Sequence, residues 1–400
     1  MLIIIDDTVA EYIRSNKEKL NWDSIETKAL NNIAKALQEG YHIISASSYD
    51  VLETLAKLDC LEWNARRTYE TLSQKFTFYL SYEDFCCSYI LVKSNSFDFY
   101  RNDKEPNKII YEVPLSRFSS FDLLFPTRLL SEDASDCDFY EKIAEKYISE
   151  NKDEINVKLK FDQISGGGSQ SYVNYEREIN KGSKILAICD NDKSYLEDKE
   201  GETFRQLQKI YDKNKKESII EFHGLKVREK ENLIPPSMYR MCCNNSGNDV
   251  LNKLEEIERL DEHQSKLMFI DIKEGIEAKV AKDEKFKEYY RELFEVVDLI
   301  SCSLEEVDEK GDKDILMMGI GRKFDAFIND VFEGGLEEAL EGKKKIAQKV
   351  GIPVDVIKKM EEDILKKQNL INNLPDYLKD EWRELCHKLI SWGCCEYPPA

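Results

Sequence analysis

The sequence predicts an α/β protein, with a parallel, Rossmann-like sheet domain at residues 123–245 between an N-terminal mixed α+β region (1–122) and a mainly helical C-terminal region (246–400). Three observations predict it. Short apolar runs alternate with amphipathic stretches through the middle of the chain, and parallel strands need crossovers of that length. One of the runs, "KILAIC", is uninterrupted, as in a strand buried on both faces. Past Ser246 the apolar residues recur at three- and four-residue steps, the period of helices packed on one face. A chain of 400 residues exceeds one typical core, so two or three domains are expected.

In chain order, "IETKALNNIAKALQEG" places Ala29, Ile33, Ala36 and Leu37 near one helical face and stops at Gly40, a residue suited to a helix C-terminus. Helical pattern continues through "VLETLAKLDCLEWNARRTYETL". From Tyr89 the period changes, and "YILVK" and "KIIYEVPL" read as strands. This region carries no catalytic constellation and is expected to bind a partner or substrate. The central domain then reads as four strands, "TRLLS", "VKLKF", "KILAIC" and "SIIEF", with three helices between them; Gly182 stops the second helix. In the C-terminal region one further strand, "KLMFIDI", is expected among helices that include "FDAFINDVF".

Composition restricts the function classes. A formal charge of −20 argues against indiscriminate nucleic-acid binding, which depends on Lys and Arg neutralising phosphates, but leaves room for a local basic groove or bridging metal ions. The apolar start "MLIII" runs straight into acids and lacks the pattern of a signal peptide, and no stretch is long enough to span a bilayer, so the expectation is a cytoplasmic protein away from the membrane. Eleven cysteines, without C-x-x-C spacing, are expected to be reduced and mostly buried.

The chemistry concentrates at strand ends. Ligands of open parallel sheets gather beyond the carboxyl ends of the strands. Acids stand after three of them: Glu132 after "TRLLS", Asp162 after "VKLKF", and Asp190 with Asp192 after "KILAIC". Two like charges so close raise each other's pKa unless a cation lies between them. Hard oxygen donors of this kind suit Mg2+ or Mn2+. "SGGGSQ" follows the second strand and precedes a helix. Two readings stand for it: a phosphate cradle made by Gly166, Gly167, Gly168 and Ser169, or a flexible turn. "FIDIKEG" puts Asp271 and Lys273 just past the expected late strand, where a lysine suits transition-state charge. "GIGRK", Gly319 to Lys323, reads as a basic turn at a helix start.

A glutamate ending the first strand, and D-x-D ending the third, resemble the Toprim domain shared by topoisomerases, primases and several nucleases. The pair Glu132 and Asp136, and the "EKEN" within "REKENLIP", Arg228 to Pro235, narrow the likeness to the Toprim of OLD-family nucleases and bacterial abortive-infection proteins. The resemblance covers roughly residues 123 to 240. It implies that Glu132, Asp190 and Asp192 bind a catalytic Mg2+ or Mn2+, and that Asp136 with Glu229 or Glu231 completes a second metal position. Taken singly, Asp136 and Glu229 also fit the description of solvated turn carboxylates. The resemblance also implies a late lysine, for which Lys273 is the candidate. The activity it implies is hydrolysis of DNA or RNA in antiviral defence. The alternative is a catalytically degenerate Toprim that binds nucleic acid or a partner as a regulatory subunit. The chain lacks the G-x-x-x-x-G-K-[ST] of an ATPase, so any ATPase partner is separately encoded.

Overall fold

Leu2–Ile5 (β1), every residue of it buried, is the strand around which the N-terminal part of the chain is built. The computed structural model describes residues 1–242, 249–321, 332 and 336–396. They form two compact units: Met1–Cys189 with Arg205–His223 and Glu384–Ala400, and Asp190–Phe204 with Gly224–Arg383.

The first unit contains two sheets. In the first, Ile43–Ala46 (β2) and Ser88–Lys93 (β3) flank β1 in parallel, Ile109–Pro114 (β5) pairs in parallel with β3, and Tyr100–Asn102 (β4) closes the edge antiparallel to β5, giving the order β2-β1-β3-β5-β4. The strands expected from "YILVK" and "KIIYEVPL" are β3 and β5; β1, β2 and β4 are additional. The helix Ile25–Gln38 buries the predicted apolar face and ends before Gly40, whose φ of +64° is the left-handed conformation a glycine adopts without steric cost.

The second sheet is the α/β unit the sequence predicts. Thr127–Ser131 (β6), Phe161–Ser165 (β8), Ile185–Cys189 (β9) and Ile220–Gly224 (β10) are joined by the helices Ala134–Glu150, Ser171–Asn180 and Glu202–Asn214. Their order is β10-β9-β6-β8, with β6 parallel to both of its neighbours. The chain therefore leaves β6 toward one edge and β9 toward the other. The switch point, where the crevice of a doubly wound sheet opens, falls between β6 and β9. β9 is buried throughout, which explains its unbroken apolar sequence. Lys158–Leu159 (β7) forms a separate antiparallel bridge with Cys394–Cys395.

The second unit is mainly helical, with Asp249–Glu258, Glu284–Val296, Leu336–Val350 and Val354–Gln368 as its main helices. Its small sheet pairs Gly275–Glu277 (β11) with Ile315–Met318 (β12). The strand expected from "KLMFIDI" does not form: Gln264–Met268 is a 3-10 helix, and the chain reaches Ile272 without pairing as a strand. The carbonyls a strand would offer a neighbour are used otherwise. Met268 O accepts from Arg228 N at 2.7 Å, and Leu267 O and Ile270 O both accept from the Asn232 side chain at 2.8 Å. Most of "FDAFINDVF", and Arg322 and Lys323 of "GIGRK", lie outside the described residues. The described cysteines are free thiols. Among the described residues no helix is long and apolar enough to cross a membrane.

Candidate functional site

β6 and β9 end at Ser131 and Cys189, and the next residue on each is an acid: Glu132 in the first unit and Asp190 in the second. Around Glu132 the backbone is held by the glycine loop. Gly166 N donates to Ser131 O at 2.7 Å, and Gly167 N and Gly168 N donate to Glu132 O at 3.0 and 3.2 Å. Gly167 and Gly168 reach this geometry with φ of +77° and +61°, and a Cβ on Gly166 would lie 2.5 Å from Ser131 O, so the close approach requires glycine. Amides turned inward in this way are not left to cradle a phosphate. The amides of Gly166, Gly167 and Gly168 brace the backbone at Ser131 and Glu132, as the turn reading of "SGGGSQ" has it; Ser169 is not one of these three donors.

Asp136 has a structural task. It is the third residue of the helix Ala134–Glu150, and its carboxylate accepts from Asp133 N at 2.9 Å in a capping box, satisfying a donor the helix itself cannot. Asp162 is not at a strand end. β8 runs from Phe161 to Ser165, so Asp162 lies near its beginning, beside Arg128 of β6, with which it forms an ion pair. The strand boundary lies four residues later than the sequence suggested.

In the second unit, two stretches that are distant in sequence interlock. Asn191 N and Asp192 N both donate to Arg228 O, at 3.1 and 3.0 Å, while Lys230 N donates to Asp190 Oδ1 at 3.1 Å. This locks "DND" against "REKE". Asp192 has φ of +59°, a left-handed conformation that Asp tolerates better than most residues. Its carboxylate rests on Gly201, where an added Cβ would lie 2.0 Å from Asp192 Oδ2.

Arg228 is the centre of the arrangement, and its spacing in the sequence gave no sign of that. Its guanidinium pairs with Glu229 at 3.1 Å and with Asp271 at 3.2 Å, and donates to Ser194 Oγ at 3.0 Å. The Lys273 ammonium lies 3.0 Å from Glu231, a carboxylate only 3% exposed. Lys273 follows a loop, not a strand, yet it reaches the acids of "REKEN". Asp190, Asp192, Glu229, Glu231 and Asp271 thus share one neighbourhood with two cations.

The titration of these groups reflects burial first and the neighbouring carboxylates second. Burial pushes Glu229 up to about 7; Asp271 and Glu231 reinforce the shift, and Arg228 and Lys273 oppose it. Asp192 is raised by the protein packed against it and by Asp271, with Arg228 pulling the other way. For Lys273 burial works downward, but Glu231, Glu229 and Asp190 outweigh it and raise the ammonium. Glu229 also caps the 3-10 helix Lys230–Leu233.

Among the described residues, no three His, Cys, Asp or Glu side chains converge closely enough to grip an ion as they stand. The positions a cation would take beside these acids are held by side chains: Arg228 bridges Glu229 and Asp271, and Lys273 pairs with Glu231. The donors gathered here are carboxylate oxygens, the ligand class that Mg2+ and Mn2+ take, and Arg228 and Lys273 are the cations an ion would have to displace. Compared with known proteins, the chain matches no protein-family model, no curated protein and no solved structure.

Proposed function

We propose that the chain is a divalent-metal-dependent nuclease that hydrolyses phosphodiester bonds of DNA or RNA. The observation that carries the reading is the surplus of carboxylates locked around the Asp190–Asp192 turn, where burial and like charge raise Glu229 to about 7. Such a group is strained by its neighbours' charge and gains from a cation. Asp190 and Asp192, with Glu229 and Glu231, would hold Mg2+ or Mn2+. Glu132 enters the proposal through its place at the end of β6 and through the Toprim resemblance, and Asp136, occupied as a helix cap, drops to a supporting role. A bound divalent ion supplies Lewis-acid polarisation of a phosphoryl oxygen and a more acidic water. Lys273, already among the acids, supplies positive charge for a phosphate once a metal takes over its carboxylates. The antiviral setting rests on the resemblance alone.

A second reading has its own support. Because Arg228 and Lys273 occupy the acids, a degenerate Toprim that binds nucleic acid or a separately encoded ATPase fits the same pairing. Cleavage assays separate the two. The purified chain is incubated with Mg2+ or Mn2+ on supercoiled and linear DNA, single-stranded DNA and tRNA. Metal-dependent cleavage that falls to background in Asp190→Ala and Asp192→Ala supports the nuclease. Activity undiminished in both variants sinks it, and metal binding without turnover favours the regulator.

A further inference from the structure

We propose that a cleft beside the Asp190–Asp192 turn takes a single nucleobase, so that the substrate is engaged as an unpaired strand. This deepens the nuclease reading and rests on it for the identity of the ligand. The cleft belongs wholly to the second unit and has a volume of about 440 Å³, in the range of small-molecule sites. Asn191, flanked by the two aspartates, forms part of its wall, and Met268, whose carbonyl accepts from Arg228 N, forms another part. The same peptide segments therefore shape both the cleft and the acid cluster.

The lining is flat and apolar: the rings of Phe204, Phe269 and Tyr289, with Leu196 and Leu225. Phe269 and Tyr289 meet edge to face, at 6.3 Å and 79°. Tyr289 is held from behind by Lys266, which donates to its carbonyl at 2.6 Å and sits 5.2 Å from its ring. Gly224 lets the Phe204 ring lie on bare backbone, since a Cβ there would stand 1.9 Å from it. Leu196 remains 55% exposed, a large aliphatic surface that nothing in the unit covers.

Aromatic and aliphatic walls with two lysines among them match the two parts of a nucleotide. A base stacks on the rings, and its phosphate lies toward Lys193 and Lys226. Lys193 is paired with Glu200 at 2.8 Å, so stacking carries the affinity. The Asn191 amide is consumed within the fold, Nδ2 donating to Leu225 O at 3.0 Å and Oδ1 accepting from Lys193 N at 2.8 Å. It is thus not left to read a base edge, and recognition is tolerant of sequence. In a duplex both faces of each base are already stacked, so the cleft selects single strands. This also reconciles nucleic-acid binding with a net charge of −20, because little of it depends on phosphate neutralisation.

The test is binding in EDTA, where the metal reading plays no part. Fluorescence anisotropy follows a labelled mixed-sequence single-stranded 12-mer, the same strand in a duplex, and competition by AMP and dTMP. We expect the single strand to bind at least about tenfold more tightly than the duplex, with a salt dependence of about one phosphate, and Tyr289→Ala to weaken it about tenfold. Leu196→Asp, at an exposed position that leaves the fold intact, lowers affinity in the same direction. Asp190→Asn retains the binding while cleavage in Mg2+ is lost. If Tyr289→Ala and Leu196→Asp bind as tightly as the unmodified chain, or duplex binds equally, the cleft proposal is overturned, and loss of cleavage in Asp190→Asn would leave the metal reading standing. Tyr289-dependent binding by a protein that never cleaves keeps the cleft and removes the nuclease. Displacement by monophosphates as tight as the strand itself assigns the cleft to free nucleotides and overturns the strand proposal.

Discussion

Both sheets of the first unit are wound in opposite directions from a central pair of strands, but they treat the resulting crevice differently. In the first sheet the switch point lies between β1 and β3. There Asp6 meets Lys93 at 3.1 Å, with 14% and 17% of the two side chains exposed, and Ser94 N donates to Thr8 Oγ1. Asp6 also caps the helix Asp7–Ser15, accepting from Thr8 N at 3.0 Å. Burial works to raise its carboxyl, but Thr8 and Lys93 outweigh it and hold Asp6 below the usual carboxylate range. In the second sheet the strands on either side of the switch point, β6 and β9, are followed by two residues of the same sign, Glu132 and Asp190. Topology alone supplies a crevice. In the first sheet complementary charges fill it as a brace; in the second unit the acids around the Asp190–Asp192 turn outnumber their cations.

The largest expected effect tests the Asp190–Asp192 turn. Asp190→Asn should lower metal-dependent cleavage by about 10³-fold, the scale of losing a principal electrostatic stabiliser, while changing folding stability by no more than about 0.5 kcal/mol. Its Oδ1 still accepts from Lys230 N, and one like charge is removed. A denaturation curve and a cleavage rate on the same preparation check both halves. The first crevice should behave the other way. Lys93→Met leaves the Asp6 carboxylate buried without its cation and should cost about 2–3 kcal/mol, somewhat less than a fully buried pair. Cleavage per folded molecule should stay unchanged. If Lys93→Met is neutral in urea denaturation, the first crevice is not held by charge pairing.

A next step down in size is stabilisation by the ion itself. Calorimetric melts with Mn2+ at about thirty times its dissociation constant should raise the stability of the unmodified chain by about 2 kcal/mol. They should leave Asp190→Asn close to its metal-free value. An equal rise in both would show that the ions act somewhere other than the Asp190–Asp192 turn.

The contrast between the crevices also marks what the sequence revealed. The second sheet was legible because each of its strands is bounded by turn residues and separated by a helix-length crossover, as with "KILAIC" between Gly182 and Asp190. The strands β1 and β2 were not. "LIII" is a short apolar run without alternation, and "IISA" is too brief to carry a period. "KLMFIDI" misled because four of its residues, Leu267, Phe269, Ile270 and Ile272, are buried, as in a strand, while the carbonyls of Leu267 and Ile270 accept from the Asn232 side chain and that of Met268 from Arg228 N. At the site, spacing identified the acids that follow β6 and β9 but not Arg228, because a hub is defined by what converges on it in space. Asp162 was displaced by a strand boundary, the least determinate feature of any sequence reading.

The smallest effect is the most discriminating, because the Asp6–Lys93 crevice and the Arg228 cluster should answer acid with opposite signs. Asp6 has a lowered folded-state pKa, so its contribution is present above 3.8, its ordinary value, and is lost as pH falls through the folded value. Glu229 stands at about 7 against an ordinary 4.5, so between those values the native state holds a proton that the unfolded chain has released. Its contribution therefore grows as pH falls from about 7 toward 4.5, and it is the rise in pH that weakens the second unit. In EDTA the unmodified chain should be more stable at pH 5 than Glu229→Gln predicts, by on the order of 1 kcal/mol, and that excess should vanish by pH 8. Hydrogen exchange locates the change: protection of the Arg228 to Leu233 amides should rise on acidification, while protection in β1 should hold until pH approaches 4. If Glu229→Gln melts with the same pH slope as the unmodified chain, the carboxylates around Arg228 are not crowded enough to trade protons for a metal ion, and the Arg228 cluster is a brace like the Asp6–Lys93 pair.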